Sequence, residues 1–497
     1  MNLAHILEDS VKFFPDRPAL LEDGVVTTYA ELDLESGRLA SALLDWGFQP
    51  GGLAAICLPN TRQWLATYFG VLKAGGVAVA LSMAMPRDEL TPLLQDCQAS
   101  LLFTTQAKWE ELGGRSQLPF LTRVVAPGGD ATWPQLLERS GAPLAALERG
   151  RDDLATVLFT GGTTGRAKGV MLSHANLLAS AHNVARQERS TPQDRALCFL
   201  PLNHVFGLVH ITLSTLLTAG SLALMPAFDL DKVLHALTHG GVTKFYSVPT
   251  IYVRLLAVPD LKARLGSVRY TFSAAASMAQ ELVREWKRAT GLDIHEAYGL
   301  TESAAMVTYN HYYRHKVGSV GTPVGTVEVA IMDTEGRPVP QGSEGEICIQ
   351  GPNIMGGYLN RPQETSQAFW GPWFRSGDIG YLDEEGYLFI IDRLKDMIIT
   401  GGENVYPREV EEVLYTHPQV QECAVVGLPD VEWGERVTAF LVCRPGQVPG
   451  EAELKAFLKA RLSGFKVPKR FVLVDELPKS AAGKILKREV VRTFAGD

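Results

Sequence analysis

Apolar residues in the first half of the chain fall into two alternating periods. Short apolar runs of strand length are followed by stretches in which apolar residues recur every three or four positions. GLAAICL (52–58) reads as a strand. Asn60 or Thr61 can then cap a helix whose buried side carries Trp64, Leu65, Tyr68, Phe69, Val71 and Leu72, and Gly75-Gly76 ends it. VAVAL (77–81) is the next strand. Strand, helix and strand in that order form a β-α-β unit, and such units build parallel sheets covered by helices on both faces. The alternation returns in KFYSVP (244–249), a helix over 279–290 and the strand LDIHEAY (292–298).

The texture changes after about Val317. GTPVGTVEVAIMD, EGEICIQG and GYLFIIDR are short strands between Gly-, Pro- and Asp-rich turns, which predicts a β-rich subdomain over 317–394. From Lys395 a separate small unit follows. It contains the helix PREVEEVLYTH, the strands ECAVVGLP and RVTAFLVC, the helix EAELKAFLKARL and a final basic segment. The expected fold class is therefore α/β. A large N-terminal domain of helix-covered sheets with its β-rich subdomain spans 1–394, and a small α+β C-terminal domain spans 395–497. No segment repeats at a fixed period, which excludes a solenoid.

Composition narrows the class. At 497 residues, 46% hydrophobic and 21% charged, the chain is an ordinary globular protein with ample core. A net charge of −8 disfavours nucleic acid as a partner. Cys57, Cys97, Cys198, Cys348, Cys423 and Cys443 include no CxxC pair, so neither a zinc site nor a disulfide framework is expected. The N-terminus lacks a basic start followed by an apolar block, and FAGD matches no common targeting tail. These features give a cytoplasmic expectation. The segment 196–228 carries no Asp, Glu, Lys or Arg, but Pro201, Asn203, His204, Gly207, His210 and Gly220 interrupt it. It reads as buried core around a pocket and not as a transmembrane segment.

Candidate chemistry begins at LFTGGTTGRAKGVMLSHAN (158–176). The P-loop pattern fails here, because Ala167 precedes Lys168 and Gly169 stands where a magnesium-binding hydroxyl is required. What remains is a loop in which Gly161, Gly162, Gly165 and Gly169 free the backbone. Thr160, Thr163 and Thr164 supply hydroxyls, and Arg166 and Lys168 supply charge. Such donors suit polyphosphate oxygens.

Four more segments accompany this loop in order. With TGGTTGRAKG (160–169) they are YGLTES (298–303), WFRSGD (373–378), DRLKDMIITGGENVYPREVE (392–411) and PKSAAGK (478–484). Across nearly its whole length the sequence resembles the adenylate-forming superfamily, in particular its acyl-CoA synthetases. Ala167 departs from the family's usual Pro, which implies a slightly looser loop. The resemblance implies ligation of a carboxylic acid to coenzyme A, with ATP as co-substrate and Mg2+ as cofactor. A carboxylate resists nucleophiles, and its acyl-AMP anhydride does not; AMP then leaves as a thiol attacks. Such a site needs a polyphosphate clamp, a magnesium ligand, a nucleoside grip and a cation at the developing charge.

The resemblance supplies a residue for each role. Thr160 through Lys168 match the clamp, Thr301 the α-phosphate hydroxyl and Glu302 the magnesium carboxylate. Ala275 and Ala276, within SAAAS (273–277), match one adenine face, and Tyr298 the other. Asp378 matches the ribose carboxylate, since one carboxylate accepts both hydroxyls, and Arg393 a second ribose-side contact. Lys484 matches the lysine that bridges the substrate carboxylate and phosphate during adenylation. Lys395 falls at the hinge of a mobile C-terminal domain. Its second orientation presents Gly401 and Gly402, whose missing side chains leave a passage for the pantetheine thiol.

The matching acyl pocket comprises His204, Phe206, Tyr246, Val248, Ala274, Ala275, Gly299 and Leu300, with His204 ordering or gating it. Acetate-specific relatives carry Trp where Gly299 stands, so glycine implies an open apolar channel. That favours a medium- or long-chain fatty acid, with an aryl acid such as benzoate or a coumarate as the alternative and a dicarboxylate disfavoured. The rival acceptor within the family is an acyl carrier protein, and a homodimer is compatible with it. A non-catalytic nucleotide-binding scaffold is the reading from another class; the joint presence of Glu302, Asp378, Arg393 and Lys484 argues against it.

Overall fold

The computed structural model describes residues 1–160, 167–276, 278–311, 313–479 and 485–494. Among these, one sheet runs in the order Gly357–Tyr358, Lys168–Ser173, Leu154–Thr160, Val77–Ala80, Leu53–Cys57, Leu101–Thr104 and Arg123–Val125. Its last five strands are parallel, and the first two join antiparallel. Leu53–Cys57 is central and almost wholly buried, as its unbroken apolar run requires. The helix expected after it is Arg62–Lys73. Thr61 caps it by accepting from Trp64 N at 3.4 Å, and all six anticipated apolar residues are buried.

A second sheet runs from Thr322–Pro323 through Thr308–Tyr309, Ile294–Tyr298, Tyr270–Ser273, Lys244–Ser247, Arg195–Cys198, Ser221–Leu224 and Pro18–Glu22 to Val25–Thr28. Lys244–Ser247, Tyr270–Ser273 and Ile294–Tyr298 lie side by side and parallel, with Ser247 opposite Ser273 and Ser273 opposite Glu296. Their carboxyl ends therefore open at one level, where open α/β sheets bind ligands. The charge-free segment supplies two strands of this sheet. Between them lies a π-helical stretch, Phe206–Leu213, with every residue buried. No helix among the described residues is long and apolar enough to cross a membrane.

A third sheet joins Glu328–Met332, Gly345–Gln350, Trp373–Leu382, Phe369–Trp370 and Leu388–Arg393. Thr322–Pro323, within the expected β-rich stretch, instead pairs with Thr308–Tyr309 at the edge of the second sheet. A fourth sheet holds Ile398–Thr400, Glu403–Val405, Val420–Asp430, Gly434–Cys443 and Arg470–Leu473, and the turn Leu394–Asp396 precedes it. The final basic segment contains the helix Lys487–Phe494. Its Val490 is fully buried in a small apolar cluster with Phe440, a packing role that the basic residues obscure in the sequence.

Candidate active site

A cavity opens where the parallel strands of the second sheet end, and residues of the C-terminal unit complete its wall. The chain turns sharply there. Ala275 (φ 68°), Ala304 (φ 49°) and Ala305 (φ 97°) all occupy the left-handed region. Such backbone costs about 1–3 kcal/mol per residue and persists only where its surroundings hold it. Asn353 does so for one segment, donating to the carbonyls of Ser303 at 2.9 Å and Met306 at 2.8 Å.

On the nucleotide side, Tyr298 donates its phenol proton to Asp378 Oδ2 at 2.6 Å, and Arg393 Nε lies 3.3 Å from Asp378 Oδ1. Asp378 and Arg393 face each other across adjacent strands, which explains how residues of separate motifs meet. Burial and the Asp378 carboxylate push the Tyr298 phenol well above its usual range. Ala275 and Ala276 border the same cavity. Thr301 begins a tight turn, Thr301–Ser303, and is buried.

Glu302 accepts from the phenol of Tyr358 at 2.9 Å, and Lys168 Nζ stands 4.8 Å above the same ring. Tyr358 thus links Lys168, at the stem of the Gly/Thr-rich loop, to the Glu302 carboxylate, a contact that sequence reasoning missed; its short strand pairs with Lys168–Ser173. Burial raises the Glu302 carboxyl above its usual value. Thr160 and Lys168 face each other at the end of the stem hairpin. Gly161, Gly162, Thr163, Thr164, Gly165 and Lys484 lie outside the described residues.

The C-terminal unit meets the cavity through the helix Pro407–Tyr415. Arg408 donates to Asp392 from its backbone at 2.8 Å and to the carbonyl of Ile390 from its guanidinium at 2.6 Å. Lys395 lies in the connecting turn, and burial together with Arg393 depresses its ammonium. Gly401 (φ 58°) and Gly402 (φ 86°) form the turn between Ile398–Thr400 and Glu403–Val405. A Cβ at Gly402 would meet no atom within 4 Å, and one at Gly401 would meet the Trp433 ring at 3.0 Å.

Glu296 was also missed. It borders the cavity, its Oε2 has no hydrogen-bond partner, and burial pushes its carboxyl up to about 8, with Glu412 adding to the rise and Arg408 opposing it. Because this value lies above the ordinary 4.5, the protonated group contributes fully below about pH 4.5, and the contribution fades as pH rises through 8. We expect Glu296→Gln to flatten the fall in melting temperature across that window. An unchanged slope in the variant would remove Glu296 as its source.

On the acyl side, His204, Phe206, Ala274, Gly299 and Leu300 border the cavity with His210 and Phe272. His204 Nδ1 accepts from Phe206 N at 3.2 Å. Two expected pocket residues do not border it. Tyr246 is fully buried with its phenol on Glu188, and Val248 is fully buried at the start of the helix Pro249–Leu256. Gly299 borders the cavity, but the direction its missing side chain would take is not open. A Cβ there would fall 1.2 Å from the carbonyl oxygen of Ala305, so backbone fills that side. Nothing in the sequence announces it, because the positive φ at Ala305 occurs at a residue that rarely adopts one.

Comparison with known proteins agrees with this geometry. Residues 7–359 match the AMP-binding enzyme family, and residues 409–484 match the AMP-binding enzyme C-terminal domain. A feruloyl-CoA synthase of Amycolatopsis sp is 38% identical over 483 residues, covering 97% of this chain and 96% of the relative. A long-chain-fatty-acid–CoA ligase of Bacillus subtilis (strain 168) is 35% identical over 526 residues, covering 99% and 94%. The crystal structure of ATP-bound MatB from Rhodopseudomonas palustris superposes with a TM-score of 0.93 at 34% identity, covering 99% of each chain. With both family regions matched in order and the fold shared over its full length, the chain belongs to the adenylate-forming AMP-binding enzymes and is an AMP-forming acid–CoA ligase.

Proposed function

We propose that this ligase activates a compact, flat-bodied carboxylic acid, aromatic in preference to a long aliphatic chain. The observation that carries the reading is the aromatic wall on the acyl side of the cavity. Phe206, His210 and Phe272 form it, with ring centroids 5.3 Å apart for Phe206–His210 and 4.3 Å for His210–Phe272, and the Ala305 carbonyl fills the Gly299 side. A flat ring fits between ring faces and edges, and a longer chain would find backbone, not space, where a Gly299 side chain would point. Relatives of both kinds match at similar identity, so sequence similarity does not decide between them.

In this reading the acid's carboxylate attacks the α-phosphorus of ATP, pyrophosphate leaves, and the thiol of coenzyme A then displaces AMP from the acyl carbon. Thr301 would hold the α-phosphate, and the loop from Thr160 to Lys168 the outer phosphates. Asp378 and Arg393 would hold the ribose, between Tyr298 and Ala275-Ala276 at the base. Glu302 suits magnesium, which accepts a single protein carboxylate alongside phosphate oxygens and water, and Tyr358 orients that carboxylate. Bound there, the ion would offset polyphosphate charge. Lys484 would neutralise charge building between carboxylate and phosphate. Rotation about Lys395 would then bring Gly401 and Gly402 to the cavity as the thiol's entry.

The test is a panel of acids read by pyrophosphate release. Benzoate and cinnamate should exceed decanoate and palmitate in kcat/KM by at least about ten-fold, the scale of discrimination that pocket fit provides. A preference for palmitate over both aromatic acids would overturn the reading.

A further inference from the structure

Where the C-terminal unit meets the rest of the chain, two helices begin without a cap of their own, and each finds one across the boundary. Helix Pro407–Tyr415, in the C-terminal unit, follows Tyr406, whose side chain caps nothing. Pro407 has no N–H, so the first one the helix presents is that of Arg408, and it donates to Asp392 Oδ2 at 2.8 Å. Helix Gln280–Thr290, on the other side, follows Ala279, which has no side-chain acceptor to offer. Its first N–H, that of Gln280, donates to Glu412 Oε2 at 3.4 Å. Asp392 thus caps a helix of the C-terminal unit, and Glu412 of that unit caps a helix of the larger part.

Arg408 joins the two halves of this exchange. Its guanidinium donates to the carbonyl of Ile390 at 2.6 Å. Ile390 lies on Leu388–Arg393, an edge strand that pairs only with Trp373–Leu382, and such an edge leaves carbonyls open to an outside donor. Arg408 Nε also lies 3.8 Å from Glu412 Oε1, on the carboxyl that caps Gln280. Each contact is modest, since one cap or one hydrogen bond shifts an equilibrium by about two- to ten-fold. That strength suits a hold that must also let go. The placement held is one in which Ile485 and Lys487, just after the PKSAAGK segment, border the cavity.

We infer that Arg408 and Glu412 are positioning residues for the first half-reaction: they form a clasp that holds the C-terminal unit in the orientation that makes acyl-AMP and opens when the unit turns to admit the thiol. This rests on the two-orientation mechanism proposed above. Neither residue has a part there in holding ATP, the acid or the thiol.

Weakening a clasp changes the share of each orientation, so it slows only the step that uses the lost one. With the best acid of the panel, Arg408→Ala should slow pyrophosphate release by about two- to ten-fold, the weight of one such contact. Acyl-CoA formation from the matching synthetic acyl-AMP should stay at the wild-type rate or rise. Arg408→Lys keeps one donor for the Ile390 carbonyl and should recover most of the loss. Glu412→Ala should show the same split between steps, and it decides the matter if Arg408→Ala does not fold. A residue that only supported the fold would lower both steps and the melting temperature together. An equal fall in both steps, or unchanged pyrophosphate release, would overturn the clasp. Lys484→Ala, measured alongside, tells the two ideas apart. If it slows the first step alone, the two-orientation mechanism stands whatever Arg408 does; if it slows both alike, that mechanism falls and the clasp with it.

Discussion

Lys484→Ala should lower acyl-AMP formation on the order of a thousand-fold, the loss expected when one donor to developing transition-state charge is removed from a preorganised site. Attack of the carboxylate on phosphorus brings two anionic groups together, and a cation between them is needed most at that moment. In the proposed mechanism, thiol attack on a finished acyl-AMP would proceed in the other orientation of the C-terminal domain. Thioester formation from supplied acyl-AMP should therefore stay near the wild-type rate. Pyrophosphate release and acyl-CoA yield from synthetic adenylate, measured on the same preparation, separate the two steps. An equal fall in both would show that the lysine supports the fold or both orientations and not the first half-reaction.

Gly299→Ala should be nearly as damaging, by another route. The added methyl would sit 1.2 Å from the Ala305 oxygen and 2.4 Å from its carbonyl carbon, so one strand of backbone must move. Ala304 and Ala305 are already in left-handed geometry, and the Asn353 amide ties the carbonyls of Ser303 and Met306 on either side. Displacing this segment should cost about 3 kcal/mol or more, in the upper range for overpacked sites. It also disturbs Thr301 and Glu302 just before it. We expect a lower melting temperature and at least a ten-fold loss of activity on every acid alike. A stable variant that merely prefers shorter acids would show that Gly299 faces open channel after all.

Much of this was legible in the sequence. Alternating strand and helix periods were enough for the parallel sheets around Leu53–Cys57, because buried strands and amphipathic helices differ in period whatever lies around them. Asp378, Arg393 and Tyr298 could be named from their motifs, although their meeting depends on strand register and on a turn between sheets. Tyr358, Glu296 and Arg408 could not. Each acts through a partner far away in the chain: Glu302 for Tyr358, Glu412 for Glu296, Ile390 and Asp392 for Arg408. Tyr246 failed in the opposite direction, since strand alternation does not tell which face of a doubly covered sheet meets a cavity.

The widened turns of Phe206–Leu213 make the acyl wall sensitive to the length of the chain as much as to its side chains. π-Helical turns hold more residues than α-helical ones and tend to occur at functional sites. Deleting one residue from this stretch would let it relax to ordinary α-helix, shifting the angular position of every later residue in the helix by about 100°. His210 would then leave the cavity edge, and Glu188 would lose its contact with that ring, with no substitution at either position. Among homologues of this ligase, a gap of one residue here should mark a change of acid more reliably than any exchange of apolar side chains around it.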